Sequence, residues 1–116
     1  MPVITVFAVA PSSDLPRSRV WWTRLLGREP DRVPMPSDVE WHFPGGGGLQ
    51  LVDDAAHAGA GSVTLGVDDI EGELAAIRGR GLEVPDAQTV PSGQFRIAML
   101  NDPDGNTVVL AQTLAN

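Results

Sequence analysis

The feature that most constrains this chain is an internal repeat of about 55 residues. Around Val9 an apolar strand runs into Asp14-Leu15, a helical stretch holding Leu25-Leu26, then Gly27 and Pro30. Around Val67 a second strand runs into Asp69-Ile70, a helical stretch with Leu74 and Ile77, then Gly81 and Pro85. A unit of this length cannot bury its apolar face alone, so two copies are expected to pack together and enclose a shared concave surface. Function is expected inside that surface.

Local signals give the elements of each copy. Val3 to Ala10 is apolar almost throughout, which predicts a strand covered on both faces and ended by Pro11-Ser12-Ser13. Asp14 is a good N-cap, Pro16 is tolerated in a first turn, and Leu15, Trp22, Leu25 and Leu26 fall at helical spacing before Gly27 closes the helix. Three prolines between Arg28 and Asp38 predict a loop with a short edge strand at Arg32-Val33. Val39 to Phe43 alternates apolar and polar residues, Gly45 to Gly48 supplies a hairpin tip, and Leu49 to Val52 returns as a strand. The second copy reads as a strand at Ser62 to Val67, a helix ended by Gly81, an edge-like segment within Leu82 to Val90, and strands at Phe95 to Leu100 and Thr107 to Gln112. The expected fold class is α+β: two βαβββ modules, residues 1–55 and 62–116, joined by an Ala/Gly linker at 56–61. They should form one compact domain, with a cup-shaped, partly open mixed sheet and helices on its outer face.

Composition excludes several functions. Fifteen acids face eight bases, all of them Arg, for a net charge of −7. Nucleic acid and anionic membranes need a basic face, so neither is an expected partner, whereas a cationic small molecule would be attracted. Without cysteine there is no disulfide framework and no thiolate site, which suits a reducing cytoplasm. Met1 to Ala10 lacks a positive n-region and no apolar run reaches the ~20 residues of a membrane span, so a soluble cytoplasmic protein is expected.

No catalytic residue stands out. The two histidines are far apart: His57 lies in the Ala/Gly linker, where it should be solvated, and His42 shares a strand face with Glu40, opposite Trp41. No serine has a nucleophile-elbow setting, and Asp53-Asp54 and Asp68-Asp69 read as turn and capping residues.

Asp14-Leu15-Pro16-Arg17-Ser18, the aromatic pair Trp21-Trp22, Leu25-Leu26-Gly27 and, above all, Asp102-Pro103-Asp104-Gly105-Asn106 before an apolar strand resemble the vicinal oxygen chelate superfamily. That group includes glyoxalases, extradiol dioxygenases, fosfomycin resistance proteins and bleomycin resistance proteins. The resemblance implies a divalent metal held in the cup by ligands from the first and last strands of each module. Carried over by register, those positions are Ile4 (or Thr5), Gln50, Ser62 and Val109, a set with no charged ligand. The departure from the family's ligand pattern at these positions leads to the expectation of no metal and no cofactor, beside the absence of a catalytic residue read above. The resemblance points to a homodimer that sequesters an amphipathic or aromatic small molecule, in the manner of antibiotic resistance proteins.

Strand alternation gives the expected ligand-binding residues: Val6, Gln50, Ser62, Thr64 and Val109 on the cup face, with Trp41 and Arg96 adding stacking or an anion contact. Two alternatives remain open. One is a glyoxalase-like lyase or dioxygenase-like enzyme, metal-assisted or metal-free, and the other is an interaction module without a ligand. A register that brought His42 and acidic side chains together inside the cup would tell against a metal-free receptacle.

Overall fold

A computed structural model describes residues 2–114, in which the repeat becomes two mixed four-stranded sheets. Strands β1 (Val6–Ser12), β2 (Arg32–Met35), β3 (Asp38–His42) and β4 (Gly47–Asp53) form one sheet in the order β1-β4-β3-β2. Strands β5 (Ser62–Gly66), β6 (Gln88–Thr89), β7 (Phe95–Asn101) and β8 (Thr107–Thr113) form the other in the order β5-β8-β7-β6. Helix α1 (Leu15–Leu26) follows β1 and α2 (Ile70–Gly79) follows β5. In both sheets the first and last strands pair parallel and the remaining pairs are antiparallel. The fold is α+β, and each half runs strand, helix, three strands.

The helices start where the capping residues dictate. Asp14 and Asp69 have nearly the same backbone angles, φ −147° and −145°, and accept hydrogen bonds from the amides of Arg17 and Gly72. Gly27 closes α1 at φ +77°, its amide bonded to the Thr23 carbonyl. The Arg80 guanidinium follows α2 and donates to the carbonyls of Arg24 and Leu25 at the end of α1, so one module caps the helix of the other. Glycine is favoured here by φ, and a β-carbon at position 27 would also stand 3.0 Å from that guanidinium and push it aside.

Trp22 and Leu25 of α1, with Ile70, Leu74 and Ile77 of α2, bury one face of each helix against Leu49, Leu51, Val63 and Val108 of the sheets. Each fully buried aliphatic side chain contributes about 1.5–3 kcal/mol of hydrophobic stabilisation.

The turn from Asp102 to Asn106 fastens the halves together. Asn106 is fully buried; its Oδ1 accepts from the amides of Gly59 and Gly61, and its Nδ2 donates to the Pro11 carbonyl and to Asp102. Asp102 also accepts from the Trp22 indole at 3.2 Å, and Asp104 accepts from the Ser13 amide, the Ser13 hydroxyl and the Ser18 hydroxyl. The glycines of the connecting segment make this approach possible, since a β-carbon on Gly61 would lie 2.8 Å from Pro11 and 2.9 Å from Asn106.

Two expectations about β1 are corrected. The strand begins at Val6, with Val3 and Ile4 83% and 90% exposed, and it runs through Pro11 to Ser12 where an end was expected. Pro11 is tolerated because its carbonyl points away from β4, to Asn106, so its missing N–H removes no bond from the β1–β4 ladder. Nor is β1 covered on both faces along its length, for Val9 is 44% exposed and only Ala10, Pro11 and Ser12 are buried. The hairpin tip contracts as well, because Gly47 and Gly48 join β4.

Candidate functional site

Register settles which side chains share a face. Ala8, Ala10 and Ser12 stand beside Leu49, Leu51 and Asp53 on the helix-covered side, while Phe7, Val9 and Pro11 stand beside Gly48, Gln50 and Val52 on the open side. In the second sheet the open side carries Ser62, Thr64 and Gly66 opposite Thr107, Val109 and Ala111, with Ile97 and Met99 beyond them. Large apolar groups are left in water on that face: Val9, Phe95 at 41% and Met99 at 57% exposure.

A polar patch lies among them on the first sheet. Glu40, only 6% exposed, bonds through one carboxylate oxygen to His42 Nε2 at 3.1 Å and through the other to Gln50 Nε2 at 2.9 Å. The Phe7 ring meets the half-exposed imidazole edge to face at 5.5 Å and lies over Gly48, where a β-carbon would strike it. The Gln50 amide holds the Glu40 carboxyl below the usual carboxylate range; burial opposes it, and His42 and Arg32 reinforce it. Two residues back, burial and then the Glu40 charge push Asp38 up, and its Oδ1 is buried without a hydrogen-bond partner. The open face is therefore not purely apolar and uncharged. The register does bring His42 and one acidic side chain together on the open face, the arrangement expected to tell against a metal-free receptacle, but it is a single carboxylate, and no further acidic group joins it at a metal-sized site among the described residues.

Of the expected ligand-binding residues, Gln50, Ser62, Thr64 and Val109 share the open face. Three do not. Val6 has the opposite phase in β1 and faces the helix side. Trp41 is fully buried in the core, its indole donating to the Arg28 carbonyl at 3.0 Å. Arg96 alternates away from Ile97 and binds Glu71, the Thr89 hydroxyl and the Ala87 carbonyl. Of the histidines, His57 is exposed, and among the described residues its imidazole bonds only to Asp54.

The first-strand metal position also moves. Asp14 and Asp69 cap equivalent helices 55 residues apart, so the residue equivalent to Ser62 is Phe7, and neither Ile4 nor Thr5 takes that place. The four positions then hold Phe7, Gln50, Ser62 and Val109. A phenyl ring, an amide, a hydroxyl and an isopropyl group do not fit a divalent cation, which needs several charged or imidazole donors. His42 and Glu40 stand apart from this set. Both Glu40 oxygens are already bonded, and no three His, Cys, Asp or Glu side chains converge on a metal-sized site among the described residues.

A half-enclosed cavity of about 700 Å³ lies elsewhere, between α1, α2 and the β3–β4 turn. Ala8, Leu49, Val63 and Leu65 line it from the sheets and Leu25 and Ile77 from the helices, with Val6 and Thr64 also in its wall. The sequence pairs Glu40 with His42 on one strand face but gives neither Phe7 nor this cavity. The 55-residue offset would have yielded Phe7 directly from Ser62.

The glyoxalase-like domain family matches residues 6–111. Among solved structures, a glyoxalase/bleomycin resistance protein from Catenulispora acidiphila DSM 44928 is 28% identical with a TM-score of 0.88, covering 97% of this chain and 100% of its own. The antibiotic-binding protein TnmS3 from Streptomyces sp. CB03234 is 25% identical with a TM-score of 0.78 over 98% of both chains. A bleomycin-binding protein in complex with bleomycin shares the fold at 19% identity and a TM-score of 0.76, over 98% of this chain and 100% of its own. No curated protein matches. No helix among the described residues is long and apolar enough to cross a membrane.

Proposed function

Since this chain belongs to the glyoxalase-like domain family, we propose that it binds an amphipathic or aromatic small molecule on the open sheet face, as a homodimer and without a metal ion. The observation that carries this reading is the character of that face. Neutral groups occupy the four metal positions, and Val9, Phe95 and Met99 remain in water beside the Glu40–His42–Gln50 patch. Exposed apolar surface rimmed by polar groups is the usual mark of a binding face. The antibiotic-binding neighbours support the ligand class, and sequestration would serve antibiotic resistance in the cytoplasm. A second copy would close a face that one chain leaves open.

Thermal denaturation with metal-free bleomycin and with a planar aromatic dye tests this. A bound ligand at 100 times its dissociation constant should stabilise the protein by about 2.7 kcal/mol. Met99→Glu, at an exposed position, should leave unfolding within about 0.5 kcal/mol of the parent and weaken binding at least tenfold. A stoichiometric divalent ion held by side chains of this face would overturn the proposal, as would binding indifferent to Met99→Glu.

One observation favours a second reading, an enzyme. A buried carboxylate that orients an imidazole is an arrangement suited to proton transfer, and Glu40 and His42 have it. On the binding reading, purified protein should not turn over a hemithioacetal or a catechol, with or without chelator. Turnover lost in His42→Gln and retained in Met99→Glu would establish the enzyme instead.

A further inference from the structure

The cavity between the helices lies mainly on the helix side of the sheets and reaches the open face only at Gly48, Thr64 and Gly66, away from the Glu40–His42–Gln50 patch, Val9, Phe95 and Met99 on which the proposed function rests. Its wall is apolar apart from Thr64 and two charged residues, Arg28 and Glu73, which are not equivalent. The Arg28 guanidinium is already engaged: it binds Asp31 at 2.5 Å and the His42 carbonyl at 2.6 Å, and lies 5.8 Å from the centre of the Phe43 ring. Its charge is neutralised where it stands. Glu73, exposed on α2 one turn before Ile77, makes no ion pair among the described residues. An apolar chamber thus has one free carboxylate in its wall, on a chain whose overall charge is −7.

We infer that this cavity is a second small-molecule site, distinct from the surface around Glu40, His42, Gln50 and Met99, for an amphipathic amine. The aliphatic or aromatic body would rest against Leu25, Val63, Leu65 and Ile77, and the ammonium group would pair with Glu73. The volume falls within the range of about 300–1,000 Å³ typical of ligand pockets. An anionic head group is disfavoured, because its only cationic partner would have to be taken from Asp31, and the Glu73 charge would repel it. A neutral head group would gain the apolar contacts alone. Both modules supply the wall, so occupation would join them across the seam.

Three probes with one tail, decylammonium, decanol and decanoate, separate these cases. Methyl-resolved NMR titration should place decylammonium against Leu25, Leu65 and Ile77, with binding at least tenfold tighter than decanoate. Glu73→Gln, a change at an exposed helical position, should reduce decylammonium to the affinity of decanol and leave decanol itself unchanged. Equal affinity for all three probes in the parent protein would overturn the inference. So would shifts at Met99 and Val109 instead of the cavity methyls, or no binding at all. Binding of bleomycin or the aromatic dye on the open face, read by its sensitivity to Met99→Glu, would survive any of these failures, so the two proposals fall separately.

Discussion

Asn106→Ala is expected to cost about 3–5 kcal/mol and lower the melting temperature by roughly 12–20 °C, the largest effect of any single change considered for this chain. The side chain is fully buried and makes four hydrogen bonds of 2.8–3.0 Å, two accepted from Gly59 and Gly61 and two donated to Pro11 and Asp102. Truncation strands two amide N–H groups and one carbonyl, and leaves Asp102 Oδ2 with the Trp22 indole as its remaining donor. Each buried group left unpaired costs about 1–3 kcal/mol, and some of the loss is recovered by entering water. Urea denaturation of the variant gives the value directly. A loss below about 1 kcal/mol would mean that the turn does not hold the halves together.

Acid should loosen the same turn through Asp104. Burial alone would raise this carboxyl, but hydrogen bonds from the Ser13 hydroxyl and amide, then from the Ser18 hydroxyl, outweigh it and bring the pKa from 3.8 to about 2. The side chain is 1% accessible, so solvent screens little of this. Because the folded value lies below the unfolded one, the stabilisation is fully present above pH 3.8 and is lost as pH falls through about 2. A carboxyl moved that far contributes about 2 kcal/mol. Asp104→Asn should therefore be less stable than the parent by at least that amount at pH 6, and the gap should narrow steadily between pH 4 and pH 2. A gap that stays constant over that range would show that the carboxylate charge plays no part.

How much of this was legible in the sequence depended on whether the deciding interaction was local. Asp14, Asp69 and Gly27 announce the helix ends, because a cap is settled within one turn of chain. The apolar run from Val3 to Ala10 announces a strand but carries no phase. With every position but Thr5 apolar, nothing local says which residues face the helices, and the expectation for Val6 falls on the wrong side. Trp41 and Arg96 failed for a related reason. Alternation correctly paired Trp41 with Val39 and opposed it to Glu40 and His42, but only the packing of α1 shows which of those faces is the core. Pro11 read as a strand end, since its harmlessness depends on which neighbour its backbone faces, and that neighbour is Asn106, 95 residues away. The Glu73 cavity had no signal at all. It is the space left where two helices diverge over a seam, and no residue pattern encodes an absence of atoms.

The placement of the fastening turn also sets an order on biosynthesis. All four strands of the first sheet have been translated once Asp53 is made, yet the groups that bind Pro11, Ser13 and Ser18 belong to Asp104 and Asn106. About fifty further residues must be translated before that half can be latched. Until then it is a nascent intermediate with Trp22 lacking its indole partner and the Pro11 carbonyl unbonded, the stage at which chaperones and proteases would find it most vulnerable.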